Sequence, residues 1–166
     1  MATLDNLQAA FAGESQANRR YLAFAAQAER DGYPQIAKLF RAVASAETVH
    51  AHAHLRAMGG VKDTGQNLKA AIEGERYEFQ EMYPPFVEEA DSEGNHAAAA
   101  SFKNALAVEE IHHRLYGEAL KAFQSGQDLD ATPIHVCEVC GNTILGGVPD
   151  NCPVCGAPAA KFTEVA

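Results

Sequence analysis

Over residues 1–124, apolar side chains recur at intervals of three and four, the period of an α-helix with one buried face. Where the period stops, four helices are marked off. The first is predicted from about Thr3, an N-cap type residue, to Arg30, ahead of Asp31-Gly32. Its inner face reads Leu4, Leu7, Phe11, Glu14, Ala17 or Asn18, Tyr21, Ala25 and Ala28. The second begins near Pro34, suited to a first helical turn, and ends near Met58, before Gly59-Gly60. Its stripe is Ile36, Phe40, Val43, Glu47, His50 and His54. A third helix starts near Asn67 with Leu68, Ile72, Glu75, Glu78 or Phe79, and Met82 on one face. Pro84-Pro85 is expected to kink or interrupt it, and Ser92-Glu93-Gly94 closes it. The fourth, about Asn95 to Phe123, carries Phe102, Leu106, Glu109, His112 or His113, Tyr116 and Leu120.

Carboxylates thus fall on stripes where apolar residues belong, and they do so in a repeat. Glu47 follows Glu14 by 33 positions and Glu109 follows Glu75 by 34. Each pair straddles a turn, Asp31-Gly32 in the first half and Glu93-Gly94 in the second. At about 1.5 Å rise per residue, both hairpins place their acidic residues at one level of a four-helix bundle. Glu47-Thr-Val-His50 and Glu109-Glu-Ile-His112 are the same phrase written twice, and a Glu and a His three apart share a helix face. Glu110 with His113 also fits Glu-x-x-His. That register turns the pair by about 100°, off the stripe of Phe102, Leu106 and Tyr116, so Glu109 with His112 is preferred.

Beyond Ser125-Gly126-Gln127-Asp128 the composition changes, with Pro, Gly, Val and Cys replacing Ala and Glu. The division predicted is a helical bundle over 1–130 and a small domain over 131–166. All four cysteines lie here, as Cys137-Glu-Val-Cys140-Gly and Cys152-Pro-Val-Cys155-Gly. Two such knuckles are a specific signal of a tetrahedral four-cysteine site. The glycine lets the chain turn tightly after the second sulfur, so that backbone N–H groups point at the thiolates. Thiolate softness admits zinc or iron. Zinc would be structural, supporting a tail too short to fold on its own core; iron would move single electrons.

Bulk properties narrow the function. The formal charge of −9 argues against nucleic acid, which needs a basic surface. No run approaches the ~20 apolar residues of a membrane span. No basic-then-apolar N-terminal region is visible, and the expected location is cytoplasmic. Seven residues form the bundle-level cluster: Glu14, Glu47, His50, Glu75, Glu78, Glu109 and His112. A single Glu in an Ala-rich helix is ordinarily a surface residue. Five on otherwise apolar stripes would repel or turn neutral unless cations lay between them. Carboxylates with imidazoles suit iron or manganese, and one Glu from each of two helices plus Glu-x-x-His from each of two others is the ligand pattern of ferritin-like di-metal proteins. The fold class expected is therefore mostly α, a ferritin-like bundle followed by a small four-cysteine metal domain. His52, His96 and His135 have no evident partners and are expected to be solvated, and His54 to be core or a neighbour of the ligands.

Phe11-Ala-Gly-Glu14-Ser-Gln-Ala, Gly74-Glu75-Arg-Tyr-Glu78, Met82-Tyr83-Pro84 and both Glu-x-x-His phrases resemble the rubrerythrin family. Cys152-Pro-Val-Cys155-Gly-Ala-Pro resembles its C-terminal rubredoxin-like domain. The resemblance covers nearly the whole chain. It implies a non-haem di-iron centre, an iron centre held by the four cysteines (with zinc as the alternative in recombinant protein), and reduction of hydrogen peroxide. Electrons would come from rubredoxin or an NAD(P)H-dependent reductase, and the assembly would be a homodimer. It also implies that Glu47 and Glu109 bridge two irons, that Glu14 and Glu75 are terminal ligands, and that His112 binds permanently. Glu78 and His50 would exchange with redox state. Helix one offers only Ala17 where helix three offers Glu78, so the two halves cannot supply equal ligand sets. Tyr21 and Tyr83 resemble tyrosines near the family's ligands and read equally well as core aromatics. Two other readings differ in the tail. An iron-storage ferroxidase has no use for an electron-relay centre, and a non-catalytic binding protein would hold zinc alone.

Overall fold

The structure is a computed structural model that describes residues 2–165. The chain divides into two compact units, one ending at Lys62 and the other beginning at Asp63.

The first unit is a helical hairpin of α1 (Ala2–Arg30) and α2 (Pro34–Ala57). The turn closes through Tyr33 N–H to Ala28 C=O at 2.8 Å and Gly32 N–H to Glu29 C=O at 3.0 Å. Pro34 opens α2 at a position where a missing N–H costs no helical bond. The helices approach along alanines: Ala25, Ala28 and Ala37 form the buried cluster, with Phe40 against it, and Ala44 and Ala51 extend the line. The larger residues expected on the α2 stripe lie beside this seam. Ile36 remains exposed and Phe40 half-buried. Small side chains set the closest contact because they let two backbones come near, and the bulkier ones are displaced to its flank. Tyr21, Phe24 and Phe40 make one aromatic group there, with ring centroids 5.7–6.2 Å apart.

The second unit holds α3 (Thr64–Tyr77), a π-helical turn (Glu78–Met82), α4 (Tyr83–Ser92), α5 (His96–Gln124) and the tail. The third helix begins at Thr64 rather than near Asn67, because Asp63 caps it, accepting from Gln66 N–H at 2.8 Å. Pro84-Pro85 does not break the element. The helix widens upstream, where Tyr83 N–H bonds Glu78 C=O five residues back, and the prolines then occupy the first turn of α4. A widened turn passes the chain into α4 without a hydrogen bond that Pro84 cannot give. Asn95 caps α5 through its side chain to Ala98 N–H. Tyr83, Phe86 and Phe102 pack between α4 and α5.

The tail forms a three-stranded antiparallel sheet, ordered β2-β1-β3, from β1 (Ile134–Cys137), β2 (Thr143–Leu145) and β3 (Phe162–Glu164). Val136 pairs with Thr143, and Cys137 with Phe162. His135, expected in solvent, is instead half-buried at the sheet centre, and its Nδ1 is buried without a hydrogen-bond partner among the described residues. It pairs with Ile144 on β2 and Glu164 on β3, a placement that spacing alone does not reveal. No described helix is long and apolar enough to cross a membrane.

Candidate metal centres

In the tail, both knuckles are built alike. Gly141 N–H bonds Cys137 C=O at 2.8 Å, and Gly156 N–H bonds Cys152 C=O at 2.9 Å. Both glycines have positive φ (85° and 75°), a conformation a Cβ would strain. The four sulfurs gather within 4.8 Å of one another. Cys137 and Cys155 Sγ stand 3.7 Å apart, and Cys140 and Cys152 Sγ 3.6 Å apart. A tetrahedron with metal–sulfur bonds of about 2.3 Å has edges of about 3.8 Å, so this spacing suits one ion at the centre. Burial pushes the Cys152 thiol up, but N–H groups of Cys155 and Val154 and the neighbouring thiols outweigh it and bring it down to about 6. Burial raises Cys140 and Cys155 instead. Asn142, almost fully buried, aims its Nδ2–H at Cys152 Sγ, 3.6 Å away. Four thiols at ligand spacing are a site for a cation that takes them all as thiolates.

The helical residues form two triads of the same composition, one in each unit. In the first, Glu14 of α1 meets Glu47 and His50 of α2. His50 Nδ1 lies 3.1 Å from Glu47 Oε2 and 3.9 Å from Glu14 Oε1. In the second, Glu75 of α3 meets Glu109 and His112 of α5, with His112 Nδ1 2.7 Å from Glu109 Oε2 and 4.0 Å from Glu75 Oε2. The likeness follows from the repeat: each Glu-x-x-His pair shares one helix face, and the facing Glu sits at the matching height of the antiparallel neighbour. Burial and the facing Glu109 lift Glu75 to about 7. Glu78, first residue of the π turn, stands outside the close triad, yet burial and the charge of Glu109 raise it too. Acids held up by burial and by each other are a site short of positive charge. Nδ1 nitrogens converging on carboxylate oxygens are the donor set that a first-row metal takes up.

The triads differ in their surroundings. The His50 side chain is 56% exposed and that of His112 25%. His112 is also held from behind: its Nε2 lies 2.9 Å from Thr143 Oγ1 on β2. Nothing in the sequence marks Thr143, because the contact joins two elements through tertiary packing. Asn18 is a second buried residue whose role the pattern did not disclose. It donates to Ala44 C=O at 2.7 Å and to Thr48 Oγ1 at 2.8 Å, tying α1 to the turn of α2 that carries Glu47. The two tyrosines part company. Tyr21 belongs to the Phe24–Phe40 aromatic group. Tyr83 feels the acidic cluster: burial first, then Glu78, Glu109 and Glu75, hold its phenol above the usual range. Glu110 is exposed, and His113 packs against the Phe79 ring at 5.3 Å instead of joining the triad.

The rubrerythrin family profile matches residues 5–120, and that of the rubrerythrin rubredoxin-like domain matches residues 135–163. Nigerythrin of Nitratidesulfovibrio vulgaris (strain Hildenborough) is 38% identical over 98% of this chain and 86% of its own length. Rubrerythrin-2 of Clostridium acetobutylicum is 34% identical over 96% of this chain and 95% of its own. The structure of fully reduced, all-ferrous nigerythrin superposes with a TM-score of 0.59 at 34% identity, covering 98% of this chain and 86% of that one. The mostly α fold with a small four-cysteine strand region is the one expected from the sequence. The chain carries the donor sets of a di-iron carboxylate–histidine site and of a four-cysteine rubredoxin-like site. With a profile match over most of its length and relatives above one-third identity, this chain belongs to the rubrerythrin family.

Proposed function

We propose that the protein is a peroxidase that reduces hydrogen peroxide to water at a di-iron site, with electrons relayed through the four-cysteine iron. The observation that carries this reading is the pairing, in one chain, of two Glu/Glu/His triads with a four-sulfur tetrahedron. The first donor set suits a two-electron reaction at paired metals, and the second suits single-electron delivery. A storage role would leave the tail without a purpose.

When bound, a ferrous pair supplies two electrons together, so that peroxide and two protons become two waters. The chain's residues do the rest. Glu14, Glu47, Glu75, Glu109 and His112 would hold the metals, Glu47 and Glu109 as shared ligands, Glu14 and Glu75 as terminal ones, and His112 in both redox states. Glu78 and His50 would be the exchangeable ligands, taken up or released as the charge of the centre changes. The greater exposure of His50 and the place of Glu78 outside the close triad support a mobile role for both. Tyr83 keeps its proton beside the acidic cluster and would offer its O–H as a hydrogen bond to the peroxide substrate. The working division is a catalytic part over 1–130 and an electron-transfer part over 131–166, supported by family matches that end at 120 and resume at 135. The donor is rubredoxin or an NAD(P)H-dependent reductase in the cytoplasm, and the working form is a homodimer.

Stopped-flow oxidation of the fully reduced protein tests the reaction. Peroxide is expected to reoxidise the di-iron site much faster than air does. Equal rates would remove the peroxidase assignment, and a colourless, zinc-only protein after anaerobic, iron-replete expression would remove the redox reading altogether.

A further inference from the structure

Direction can be read from one short chain of hydrogen bonds in the second unit. Gly141 C=O, in the knuckle that follows Cys140, lies 3.2 Å from Thr143 Oγ1, and Thr143 Oγ1 lies 2.9 Å from His112 Nε2. A carbonyl oxygen only accepts, so the Thr143 hydroxyl donates to Gly141. Its remaining capacity toward His112 is as acceptor, so His112 Nε2 carries the hydrogen. The neutral ring then has its lone pair on Nδ1, the nitrogen that faces Glu109 Oε2 and Glu75 Oε2. Backbone, hydroxyl and imidazole are thus set in one order, and the order ends with a metal-ready nitrogen pointing at the carboxylates.

We propose that Thr143 is a positioning residue that fixes the tautomer and orientation of His112, so that the first cysteine knuckle holds the permanent histidine ligand of the helical site in place. His50 has no counterpart: its ring contacts run from Nδ1 to Glu47 and Glu14, and no described residue of its own unit hydrogen-bonds its Nε2. An imidazole tied at its far nitrogen stays a ligand, whereas an untied one can leave. The unequal duties of the two Glu-x-x-His phrases follow from a threonine outside both. The proposal rests on the reading of His112 as a ligand, and not on peroxide as substrate.

The test uses iron-loaded, diferrous full-length protein and needs no peroxide. Ferrous ions leaving the helical site are captured by a coloured chelator, while visible absorption after reoxidation monitors the four-cysteine iron. Thr143→Val keeps the β-branched shape and removes the hydroxyl; Thr143→Ser keeps the hydroxyl. Loss of an outer partner of a ligating histidine typically weakens the metal by roughly tenfold or more. Iron loss from the helical site is expected to quicken by about that factor in Thr143→Val and to stay within about twofold of the parent in Thr143→Ser. Absorption of the four-cysteine iron should be unchanged in both. Parent-like iron loss in Thr143→Val overturns the proposal. So does rapid loss in Thr143→Ser, which would make shape rather than the hydroxyl the cause. A disturbed iron–thiolate spectrum in Thr143→Val also overturns it, by assigning the residue to the fold of the tail.

Discussion

Glu75 and Glu109 face each other across the α3–α5 hairpin, and together with burial this opposition holds the Glu75 carboxyl near 7 instead of its ordinary 4.5. In metal-free protein the folded chain keeps that proton up to about 7, while the unfolded chain releases it near 4.5. Between those values the folded state binds more protons, so the contribution of Glu75 to stability is greatest in acid and declines as pH rises through 7. Glu78 acts in the same direction. Metal-free protein is therefore expected to lose urea resistance between about pH 5 and about pH 8, and Glu75→Gln to flatten the trend. An equal slope in parent and variant would clear Glu75 of responsibility. Bound cations invert the dependence, since they need the carboxylates deprotonated.

The two kinds of glutamate in the second unit should separate on substitution. Glu109 sits 2.7 Å from His112 and inside the close triad, whereas Glu78 stands outside it. Glu109→Gln is expected to lose most of the helical-site iron. Glu78→Gln should retain it but reoxidise more slowly with peroxide. Metal analysis of the two variants beside the parent checks the first statement, and stopped-flow absorption checks the second. Full iron occupancy in Glu109→Gln would count against a bridging role.

Asn18 holds the first hairpin together at the level of its metal triad. Replacing it by Ala removes two hydrogen bonds of a buried amide, although Ala44 C=O still accepts from the Thr48 hydroxyl at 3.2 Å. A cost of about 1–3 kcal/mol is expected, seen as a lower urea midpoint with an unchanged slope. Thr48→Ala removes the hydroxyl's bonds to Asn18 and to Ala44 C=O and should cost less, because the shorter Asn18–Ala44 bond survives. A neutral Asn18→Ala would mean that water replaces the amide.

Removal of the metal from the four-cysteine site should unfold the strands and leave the helices. The tail's fully buried large side chains are Cys137 and Asn142, and both serve the sulfur cluster, so little core remains without the ion. Cys152→Ser is expected to abolish the visible ferric–thiolate absorption and to expose the amides of 134–164 to rapid exchange. The amides of α1 and α2 should keep their protection. Slow exchange across β1 in that variant would show that the sheet stands without its metal.

Much of this architecture can be read from the sequence because helical period and ligand spacing report on the same face. A Glu on an apolar stripe, matched by another 33 or 34 positions on, already contains both triads and their order. The alanine seam is harder to see. Ala37, Ala44 and Ala51 are the buried positions of α2, yet in an Ala-rich chain nothing distinguishes them from exposed alanines. His135 and Thr143 are illegible for a different reason, since what surrounds each is set by tertiary packing in the tail and not by neighbours in sequence. The prolines mislead in a third way. Their known dislike of helix interiors points to a break at Pro84, but the chain adjusts one turn earlier, at a stretch of ordinary helix formers.

That adjustment has a consequence for how relatives should be aligned. The turn at Glu78–Met82 uses one more residue than an α-helical turn, and its widening absorbs that residue without the rotation of about 100° it would add to an α-helix. The faces before Glu78 and after Met82 therefore stay in line in space while falling one position out of step along the sequence. A relative with a single deletion between Glu78 and Met82 could match nearly every letter on both sides. Its chain would run through as ordinary α-helix, with the counterparts of Tyr83 and Phe86 still turned toward that of Phe102, which both rings touch here. For this segment, one gap character marks a lost bulge and leaves the packing face where it was.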